Sequence, residues 1–380
     1  MRILFIGHNG YGYPHTRVRC YHFARVLATM PDIETAVLSF RDDLAPHKSE
    51  AAMYENLRDR EKLLLTGKAV LRLLRERNTL LYIQKAHFHA AAPYWLHRLG
   101  WLRHYVLDYD DYDIPLSNFF VRGWWNRIFF GSHRWDEITF RIARGALGCV
   151  AASHGLENLL LDHNPRVALI PTGVDGEVFT PPESRPGRDR VIFLWNGLVW
   201  GKPIRQNLLL VFRAFQRALP RMENAVLRII GGGAEWETIQ DQTRREFPDV
   251  PAEWRDWAEP QQMPDLLRNA DVGLLPAEGD DLWLKCKSPT KLFEYMASGL
   301  PVVATACGEA VYALRHLESG YLAEDESAFA EGIVRLANDP ALRQRLGEGA
   351  RKQVEAEYTL NVLGEKLYRF LNAITGSLQK

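Results

Sequence analysis

The chain has 380 residues, which is enough for two domains of ordinary size. Hydrophobic residues make up 47% of it and charged residues 25%, a balance typical of globular rather than disordered proteins. Lys and Arg together number 47, as do Asp and Glu, so the chain lacks the overall basic field of a nucleic-acid-binding protein.

Short apolar runs alternate with helical stretches along the chain, a pattern typical of parallel sheets covered by helices. In the first half, strands are predicted over Ile3–Ile6, Thr35–Ser39, Leu80–Gln84, Tyr105–Asp108, Gly148–Ala151 and Val167–Ile170. Helices are predicted over Arg17–Met30, Glu50–Arg77 and Trp135–Arg144. Residues 181–187 contain three prolines and predict a surface linker, because proline fixes φ and has no N–H to donate.

A second series of the same kind follows the linker. Its predicted strands are Val191–Trp195, Ala225–Ile230, Val272–Leu275 and Val302–Ala304. Its predicted helices are Gln206–Ala218, Pro264–Ala270 and Pro289–Ser298, with more from about Glu326 and a last one near Leu360–Ile374. Two Rossmann-like doubly wound domains are therefore expected to face each other across a cleft. Ligands of open α/β sheets bind beyond the carboxyl ends of the strands, so the cleft is the expected site.

The most informative segment is residues 287–304, with the sequence KSPTKLFEYMASGLPVVA. It predicts a polar loop, a helix, a glycine stop and a strand. Ser288 and Thr290 suit the N-cap, Pro289 suits the first turn, and Gly299 suits the position just after the helix.

Lys291 and Glu294 lie one turn apart at the start of this predicted helix. A helix N-terminus attracts anions, so a cation in the first turn suits a bound pyrophosphate better than it suits the helix itself. Glu294 is placed to accept hydrogen bonds from both ribose hydroxyls of a nucleotide. The alternative is a solvated Lys291 that merely pairs with Glu294.

Residues 287–304 resemble the donor-site signature of the family-4 retaining glycosyltransferases, which have the GT-B fold. That family typically carries two glutamates at a fixed spacing. Glu294 matches the second, which the resemblance implies to bind the ribose, whereas the first falls on Cys286. A subgroup with a Pro-x-Lys-x-x-Glu-Tyr helix is closer, and Lys291 matches its lysine.

The resemblance covers nearly the whole chain. Residues 167–182, VALIPTGVDGEVFTPP, resemble the segment that ends the first domain in this family. The fold implied is α/β and GT-B, with an N-terminal acceptor-side domain over 1–184 and a nucleotide-sugar-binding domain over 185–358. A C-terminal helix over 359–380 is expected to pack back on the first domain.

Two further segments of the second half resemble donor-binding parts of the family. The stretch LRIIGGGAE at 227–235 resembles the strand and glycine turn on the nucleotide side, which implies donor contacts by Gly232 and Gly233. The alternative is a tight strand-to-helix turn. The run WRDW at 254–257 lies where the family holds the base, which implies a contact by Arg255.

The family also places an Arg and a Lys after the first strand of the second domain, on the donor phosphates. Here Leu198 occupies the Arg position, and Lys202 and Arg205 follow within residues 195–205, WNGLVWGKPIR. On a glycine-rich loop these two cations would stabilise a leaving diphosphate. The alternative is a solvated surface loop.

Residues 7–14, GHNGYGYP, follow the first strand and resemble the family's loop that approaches donor phosphate and acceptor, with Gly12 as the contact. Arg17 or Arg19 would then face an anionic ligand, or be exposed on an ordinary helix.

Residues 108–113, DYDDYD, crowd four carboxylates that must find partners, protons or cations. A DxD run suggests the metal-dependent glycosyltransferases of another fold, but the signature in the second half argues against that fold. We interpret Asp108 and Asp110 as cleft residues that bind acceptor hydroxyls or stabilise positive charge on the sugar. The alternative is a solvated acidic strand end.

Residues 119–130, FFVRGWWNRIFF, combine six aromatic side chains with two arginines. Such a segment suits peripheral contact with a membrane or a lipid-linked acceptor site. The alternative, which we favour, is a packing helix whose rings lie in the core.

The function implied is that of a retaining, metal-independent hexosyltransferase acting on a glycan, lipid-linked or small natural-product acceptor. Lys291, Lys202 and Arg205 would stabilise the leaving diphosphate, and neither a cofactor nor a nucleic-acid partner is expected. Alternatives are a catalytically silent sugar-nucleotide-binding partner subunit, an epimerase or a disaccharide synthase. Four scattered cysteines and the lack of a long apolar run predict a cytoplasmic protein, with peripheral contact at the inner face of the membrane as a variant.

Overall fold

The computed structural model describes residues 1–55, 57–183, 189–199, 201–279 and 282–376. The chain forms two compact units. The first comprises Met1–Gly173, Cys286–Ser288 and Leu360–Lys380, and the second comprises Val174–Lys285 and Pro289–Thr359. The first division therefore falls after Gly173, whereas the boundary expected after residue 184 lies outside the described residues.

The first unit contains a six-stranded parallel sheet with the order β2-β1-β3-β4-β5-β6. Its strands are β1 (Arg2–Gly7), β2 (Glu34–Ser39), β3 (Leu80–Gln84), β4 (Tyr105–Tyr109), β5 (Gly148–Ala151) and β6 (Val167–Leu169). All six were predicted from apolar runs, which is the pattern of strands buried on both faces. The register places Gln84 of β3 beside Asp108 of β4.

Within the described residues, the α-helices that connect these strands are α1 (Pro14–Thr16), α2 (Phe23–Leu27), α3 (Glu50–Glu55), α4 (Asp59–Leu73), α5 (Ala91–Arg98), α6 (Gly123–Phe130), α7 (Trp135–Gly145) and α8 (His154–Leu161). Two π-helical turns cover Arg17–His22 and Phe40–Leu44, and 3₁₀ turns cover Phe88–Ala90 and Ile114–Leu116. The helix predicted over Arg17–Met30 is continuous from Pro14 to Leu27 and contains the first π-helical turn, whereas the one predicted over Glu50–Arg77 is divided into α3 and α4.

The second unit contains another six-stranded parallel sheet, with the order β12-β11-β10-β7-β8-β9. Its strands are β7 (Val191–Leu198), β8 (Ala225–Gly232), β9 (Ala252–Arg255), β10 (Val272–Leu275), β11 (Val302–Thr305) and β12 (Tyr321–Ala323). Four of them were predicted. The two edge strands, β9 and β12, were not, because both are short and β9 also carries charged side chains.

The helices of the second unit are α9 (Gly201–Ala218), α10 (Trp236–Glu246), α11 (Met263–Arg268), α12 (Leu282–Lys285), α13 (Thr290–Ala297), α14 (Ala310–Ala313), α15 (Glu326–Asn338) and α16 (Pro340–Glu357). Single 3₁₀ turns cover Leu219–Arg221 and Pro260–Gln262.

The last helix, α17 (Leu360–Gly376), belongs to the first unit and packs against α2. The contact is close: a Cβ added at Gly364 would lie 2.4 Å from Cγ1 of Val26. Among the described residues, no helix is both long enough and apolar enough to cross a bilayer.

Candidate active site

In the second unit, the start of α13 lies against the end of β7. Lys291 donates a hydrogen bond from Nζ to the carbonyl oxygen of Asn196, and the same ammonium lies 4.6 Å from the ring centroid of Trp195. The Tyr295 hydroxyl donates to Oδ1 of Asn196. A Cβ added at Gly197 would lie 2.9 Å from Lys291 Nζ, so the backbone leaves just enough room for the ammonium. The arrangement fixes one positive charge at the carboxyl end of a central strand.

The helix begins differently from the prediction. Its N-cap residue is Pro289, α13 starts at Thr290, and no side chain of the N-cap residue caps it. The N-cap role predicted for Ser288 is wrong, because its hydroxyl oxygen accepts from the backbone N–H of Thr172 at 3.2 Å and belongs to the first unit. The first turn of α13 thus lacks a side-chain cap at its N-cap, which suits a site for an external anion.

The other end of the helix matches the prediction. Gly299 has φ of 65° and donates to the carbonyl of Met296 at 3.0 Å, and Leu300 donates to the carbonyl of Tyr295 at 3.0 Å. These two bonds form a Schellman motif, in which only glycine adopts the left-handed conformation without strain. Glu294 lies in the second turn of α13 and is half-buried.

Cys286 occupies the position of the first glutamate expected in the signature. It is fully buried in the core of the first unit, and its carbonyl accepts from the Ser153 hydroxyl at 2.6 Å. Burial raises the pKa of the Cys286 thiol to about 12. This side chain is therefore a neutral core residue rather than a substitute for a carboxylate.

The glycines at the end of β8 allow its backbone to pack closely against the end of β7 and the residue that follows it. A Cβ added at Gly231 would lie 2.0 Å from the carbonyl oxygen of Gly197. Gly233 has φ of 112°, and its added Cβ would lie 2.5 Å from the carbonyl oxygen of Val199. The tight-turn alternative therefore explains Gly233, whereas a Cβ added at Gly232 would approach no other atom closer than 3.6 Å.

Lys202 and Arg205 lie on a helix rather than on a loop. The helix α9 already begins at Gly201, which has φ of 71°, so both cations belong to its first turns. Arg205 is paired with Glu235 at 3.8 Å, and Lys202 is exposed. The loop prediction is corrected, and the two cations remain near a helix N-terminus.

Arg255 ends β9 and is exposed at the rim of a concave surface. The other residues that line this concavity are Ile230, Asp256, Trp257, Ala258, Gln261, Gln262, Asp265 and Leu266. Oδ1 of Asp256 accepts from the Trp236 indole at 3.2 Å, which fixes the carboxylate. A planar ligand could contact both an aromatic ring and polar side chains here.

In the first unit, a buried ionic network lies at the carboxyl ends of β3 and β4. Lys85 Nζ lies 3.2 Å from Oδ1 of Asp110 and 3.0 Å from Oδ2 of Asp113. Nε2 of His87 lies 3.3 Å from Oδ2 of Asp113, and Gln84 donates to Asp110 at 3.0 Å. The side chains of Lys85, Asp110 and Asp113 are at most 5% exposed. The solvated strand end considered from the sequence is therefore wrong for Asp110.

The charges in this network are fixed by its geometry. The backbone N–H of Asn118 donates to Nδ1 of His87, so a neutral His87 carries its proton on Nε2, toward Asp113. Burial opposes ionisation of Asp113, but Lys85 and His87 lower its pKa below the usual range. Burial opposes ionisation of Asp110 as well, and Lys85 again lowers the pKa. Both carboxylates are ionised at neutral pH.

Lys85 itself adopts an unfavourable backbone conformation. Its φ is 61°, which is the left-handed region, and its N–H donates to the carbonyl of Asp108 at 2.7 Å. A non-glycine residue there costs about 1–2 kcal/mol. Strain of this kind is concentrated at functional sites, where the surroundings fix an otherwise rare conformation.

Asp108 forms a fully buried ion pair with Arg19. Both of its oxygens accept from Arg19, at 2.8 Å from Nε and 2.6 Å from Nη2, and both side chains are fully buried. Arg19 lies in the π-helical turn and also donates to the carbonyls of Ile170 and Pro171. The catalytic role predicted for Asp108 and the ligand-facing role considered for Arg19 are corrected to a structural pair.

The loop after β1 is held by two carboxylates that sequence reasoning missed. Gly10 donates its N–H to Oε2 of Glu50 at 3.0 Å, and Tyr11 donates to Oδ2 of Asp42 at 2.8 Å. A Cβ added at Gly10 would lie 2.1 Å from Oδ1 of Asp42, so glycine is required there. Gly12 follows as an exposed residue.

Two buried histidines after β1 and β3 were also missed. His8 and His89 stack with their ring centroids 5.4 Å apart. His89 Nε2 lies 2.8 Å from the carbonyl oxygen of Gln84, and His8 Nε2 lies 3.0 Å from that of Met53. Burial lowers the pKa of His89 to about 3 and lowers that of His8 well below its usual value. For His8, its position directly after a buried strand was the available signal.

Within the residues that the structure describes, no three His, Cys, Asp or Glu side chains are grouped so that they could hold a metal ion.

The chain is similar to known glycosyltransferases. Residues 191–339, which belong to the second unit except for Cys286–Ser288, match the family described as "Glycosyl transferases group 1". The GDP-mannose-dependent monoacylated alpha-(1-6)-phosphatidylinositol monomannoside mannosyltransferase of Corynebacterium glutamicum is 29% identical over 226 residues, 55% of this chain and 57% of that protein. The N-acetyl-alpha-D-glucosaminyl L-malate synthase of Bacillus anthracis is 27% identical over 150 residues, 39% of this chain and 37% of that protein. The chain thus spans about half, or less, of the length of these relatives.

Two solved structures resemble the whole chain. The sucrose-phosphate synthase of Thermosynechococcus elongatus has a TM-score of 0.73 at 16% identity and covers 99% of both chains. HepE of Anabaena in complex with UDP-glucose has a TM-score of 0.70 at 14% identity, with 98% of this chain and 100% of that chain covered. At such identities the likeness shows the fold alone. The α/β GT-B prediction, with two Rossmann-like units and a last helix on the first, is confirmed.

Proposed function

We propose that this protein is a retaining glycosyltransferase that moves a sugar from a nucleotide-sugar donor to a hydroxyl group of its acceptor. The observation that carries the proposal is the corner formed by Lys291, the start of α13 and the end of β7. It lies within the residues that match the group 1 glycosyltransferases. A diphosphate at this helix N-terminus would be stabilised by backbone N–H groups and by the Lys291 ammonium.

In the proposed reaction, the bond between the anomeric carbon and the diphosphate breaks as the acceptor hydroxyl attacks from the same face. The hydroxyl proton passes to the departing phosphate oxygen. Lys291 and the α13 N-terminus stabilise the developing negative charge, assisted by Lys202 and Arg205 at the start of α9. Glu294 would accept hydrogen bonds from the ribose, and Arg255 would contact the base. No protein nucleophile and no metal take part in this scheme.

For the first unit, we propose that Asp110 and its network bind the acceptor, which is a glycan, a lipid-linked sugar or a small molecule. Ionised oxygens accept hydrogen bonds from sugar hydroxyls, and the network carries two carboxylates for one lysine. We also infer a cytoplasmic location.

A second candidate function is a catalytically silent partner subunit that binds a sugar nucleotide. Cys286 favours it, because a buried neutral thiol stands where the family carries a glutamate. Leu198 at the expected arginine position favours it as well. Donor binding is common to both candidates, so only turnover separates them.

The test begins with melting curves of the purified protein in the presence of uridine, guanosine, adenosine and thymidine diphosphate sugars. A donor at 100 times its dissociation constant adds about 2.7 kcal/mol to the free energy of unfolding. We expect one donor to raise the melting temperature, and Glu294→Ala to abolish the shift. The matched control is Glu365→Ala, which removes an exposed glutamate from α17 and should leave the shift unchanged.

Transfer is then measured with the donor that binds, with and without EDTA, and the anomeric configuration of the product is read by NMR. A retained configuration and EDTA-resistant turnover support the full proposal. An inverted product refutes the mechanism. Binding without turnover on any class of acceptor supports the silent subunit, and the lack of any donor binding refutes both.

A further inference from the structure

The outer side of α4, α5 and α6 in the first unit has a charge composition unlike the rest of the chain. The structure describes every residue from 57 to 130, and all of the exposed charged side chains in that range are cations. They are Arg58, Arg60, Lys68, Arg72, Arg75, Arg77, Arg98, Arg103, Arg122 and Arg127. The whole chain has equal numbers of cations and anions, so these charges are segregated rather than typical.

Exposed apolar side chains are concentrated in the same range. Of the eighteen large hydrophobic residues exposed within the described part of the chain, ten lie between 57 and 130. They are Leu64, Leu71, Leu74, Trp95, Leu99, Trp101, Leu116, Val121, Trp124 and Ile128. We call the cations and apolar residues of these two sets the α4–α6 surface.

The spacing places both kinds of side chain on the same outward stripe of each helix. In α4, Leu64, Lys68 and Leu71 follow one another at intervals of three or four residues, opposite the buried side of that helix, and Arg75 lies in the turn that follows it. The side chains of Leu64 and Leu71 are 62% and 69% exposed.

The other two helices repeat the pattern with tryptophan. In α5, Trp95 is followed by Arg98 and then by the C-cap residue Leu99, whereas in α6 Trp124 is followed by Arg127 and then Ile128. Each triplet has the spacing i, i+3, i+4, which forms one face of a helix.

Contacts between the helices make the surface continuous. The Trp101 indole donates to the carbonyl of Leu74 at 3.1 Å, which joins the end of α5 to the end of α4. The rings of Trp95 and Phe129 lie 6.2 Å apart, which joins α5 to α6. Asp59 accepts from the N–H of Val121 at 2.7 Å, so the start of α4 also holds the segment before α6.

The aromatic segment 119–130 is thus divided between core and surface. Phe119, Phe120 and Phe130 are buried, as the core alternative predicted. Val121 and Trp124 are 79% and 50% exposed. Only the exposed part of the segment belongs to the α4–α6 surface.

We propose that the α4–α6 surface binds the surface of an anionic lipid bilayer. Tryptophan side chains favour the boundary between headgroups and acyl chains, and leucine tips between cations can enter it while the cations contact lipid phosphates. A protein partner fits less well, because the charges here have one sign over three helices. A nucleic acid fits less well, because it offers no partner for exposed leucines. The proposal goes beyond the proposed function, because it requires neither a donor nor turnover.

The test is sedimentation of the full chain with vesicles of phosphatidylcholine alone and of phosphatidylcholine mixed with phosphatidylglycerol. Two variants each remove one apolar and one cationic side chain: Trp124→Ser with Arg127→Gln, and Leu71→Ser with Arg75→Gln. A matched control, Leu161→Ser with Arg345→Gln, makes the same kinds of change at exposed positions of α8 and α16. Melting curves verify that all variants are folded.

We expect binding to the anionic vesicles only, weakened by each of the two variants and not by the control. Removing one cation should weaken binding about fivefold, which corresponds to about 1 kcal/mol. The proposal is overturned by equal binding to neutral vesicles, by equal losses in the control, or by no binding at all. The single variants Arg127→Gln, Arg75→Gln, Trp124→Ser and Leu71→Ser give a further check. If the two arginine variants lose binding and the other two keep it, the proposal is also overturned. Binding of duplex DNA in the absence of any vesicle binding would indicate a nucleic-acid surface instead.

Discussion

Replacing Lys85 by methionine should destabilise the first unit mainly by leaving carboxylates uncompensated. Asp110 and Asp113 lie 3.2 and 3.0 Å from its ammonium, and both are almost fully buried. Breaking a buried ion pair by removing one partner costs about 3–5 kcal/mol. Methionine keeps the length of the side chain, and the backbone strain at φ 61° stays as it was. We expect the free energy of unfolding to fall by about 3–5 kcal/mol at pH 7.5.

The loss should shrink as the pH falls, and its sign follows from the pKa directions. In the native protein, Lys85 holds the pKa values of Asp113 and Asp110 below the ordinary value. The ionised carboxylates therefore stabilise the fold above the pKa that they have in the unfolded chain, and this stabilisation is lost only when the pH falls below that value. Without the lysine, burial raises both pKa values, so the variant gains stability when these carboxylates take up protons. The difference between wild type and Lys85→Met should therefore be smaller at pH 5.5 than at pH 7.5.

The measurement is urea unfolding at both pH values, with tryptophan fluorescence and separate fits for separate transitions. The matched control is Lys62→Met, which also removes a buried lysine, bound to the carbonyl of Phe119. Lys62 is not within ion-pair distance of a carboxylate among the described contacts, so its loss should not vary between these pH values. Adding Asp110→Asn and Asp113→Asn to Lys85→Met should restore part of the stability. A loss that does not depend on pH, or no recovery in the triple variant, would refute the reasoning.

Two further predictions concern the histidine pair and the Lys291 corner. The folded-state pKa values of His8 and His89 are lowered, so their stabilising effect is present above the unfolded value of about 6.5 and is lost below it. Urea unfolding should therefore show that the free energy of unfolding falls by about 1.4 kcal/mol for each histidine between pH 7.5 and 5.5. In His89→Gln, the fall over the same pH range should be smaller by the contribution of one histidine. Gly197→Ala should displace the Lys291 ammonium, because the added Cβ would lie 2.9 Å from Lys291 Nζ. We expect donor binding measured by calorimetry to weaken at least tenfold, which corresponds to about 1.4 kcal/mol. Gly67→Ala in α4, whose added Cβ would meet no atom within 4 Å, serves as its control, and equal affinities of the two variants would contradict the assignment.

The strands were predictable because the information for them is local. A strand buried on both faces needs an apolar run, and all six strands of the first sheet have one. β9, with the sequence AEWR, lies at a sheet edge and carries polar side chains, so its run was not recognised. The edge position that explains its composition is a property of the whole sheet.

The site was predictable where two residues lie on one helix and not where partners come from different elements. Lys291 and Glu294 follow from the spacing of a single turn. The N-cap assigned to Ser288 failed because its hydroxyl accepts from Thr172, more than a hundred residues earlier in the chain. Lys85 was missed because its carboxylate partners become neighbours only when β3 pairs with β4.

The two units each place a lysine at the carboxyl edge of a parallel sheet, but the groups in contact with it differ. In the first unit, Lys85 is balanced by Asp110 and Asp113, so ionised carboxylates exceed the lysine by one charge. In the second unit, the Lys291 ammonium donates to the Asn196 carbonyl and lies over the Trp195 ring, at the end of a central strand. An anionic group and sugar hydroxyls need opposite environments, since phosphates require positive charge and hydroxyls donate to carboxylates. This difference supports the proposed assignment of donor phosphates to the second unit and acceptor hydroxyls to the first.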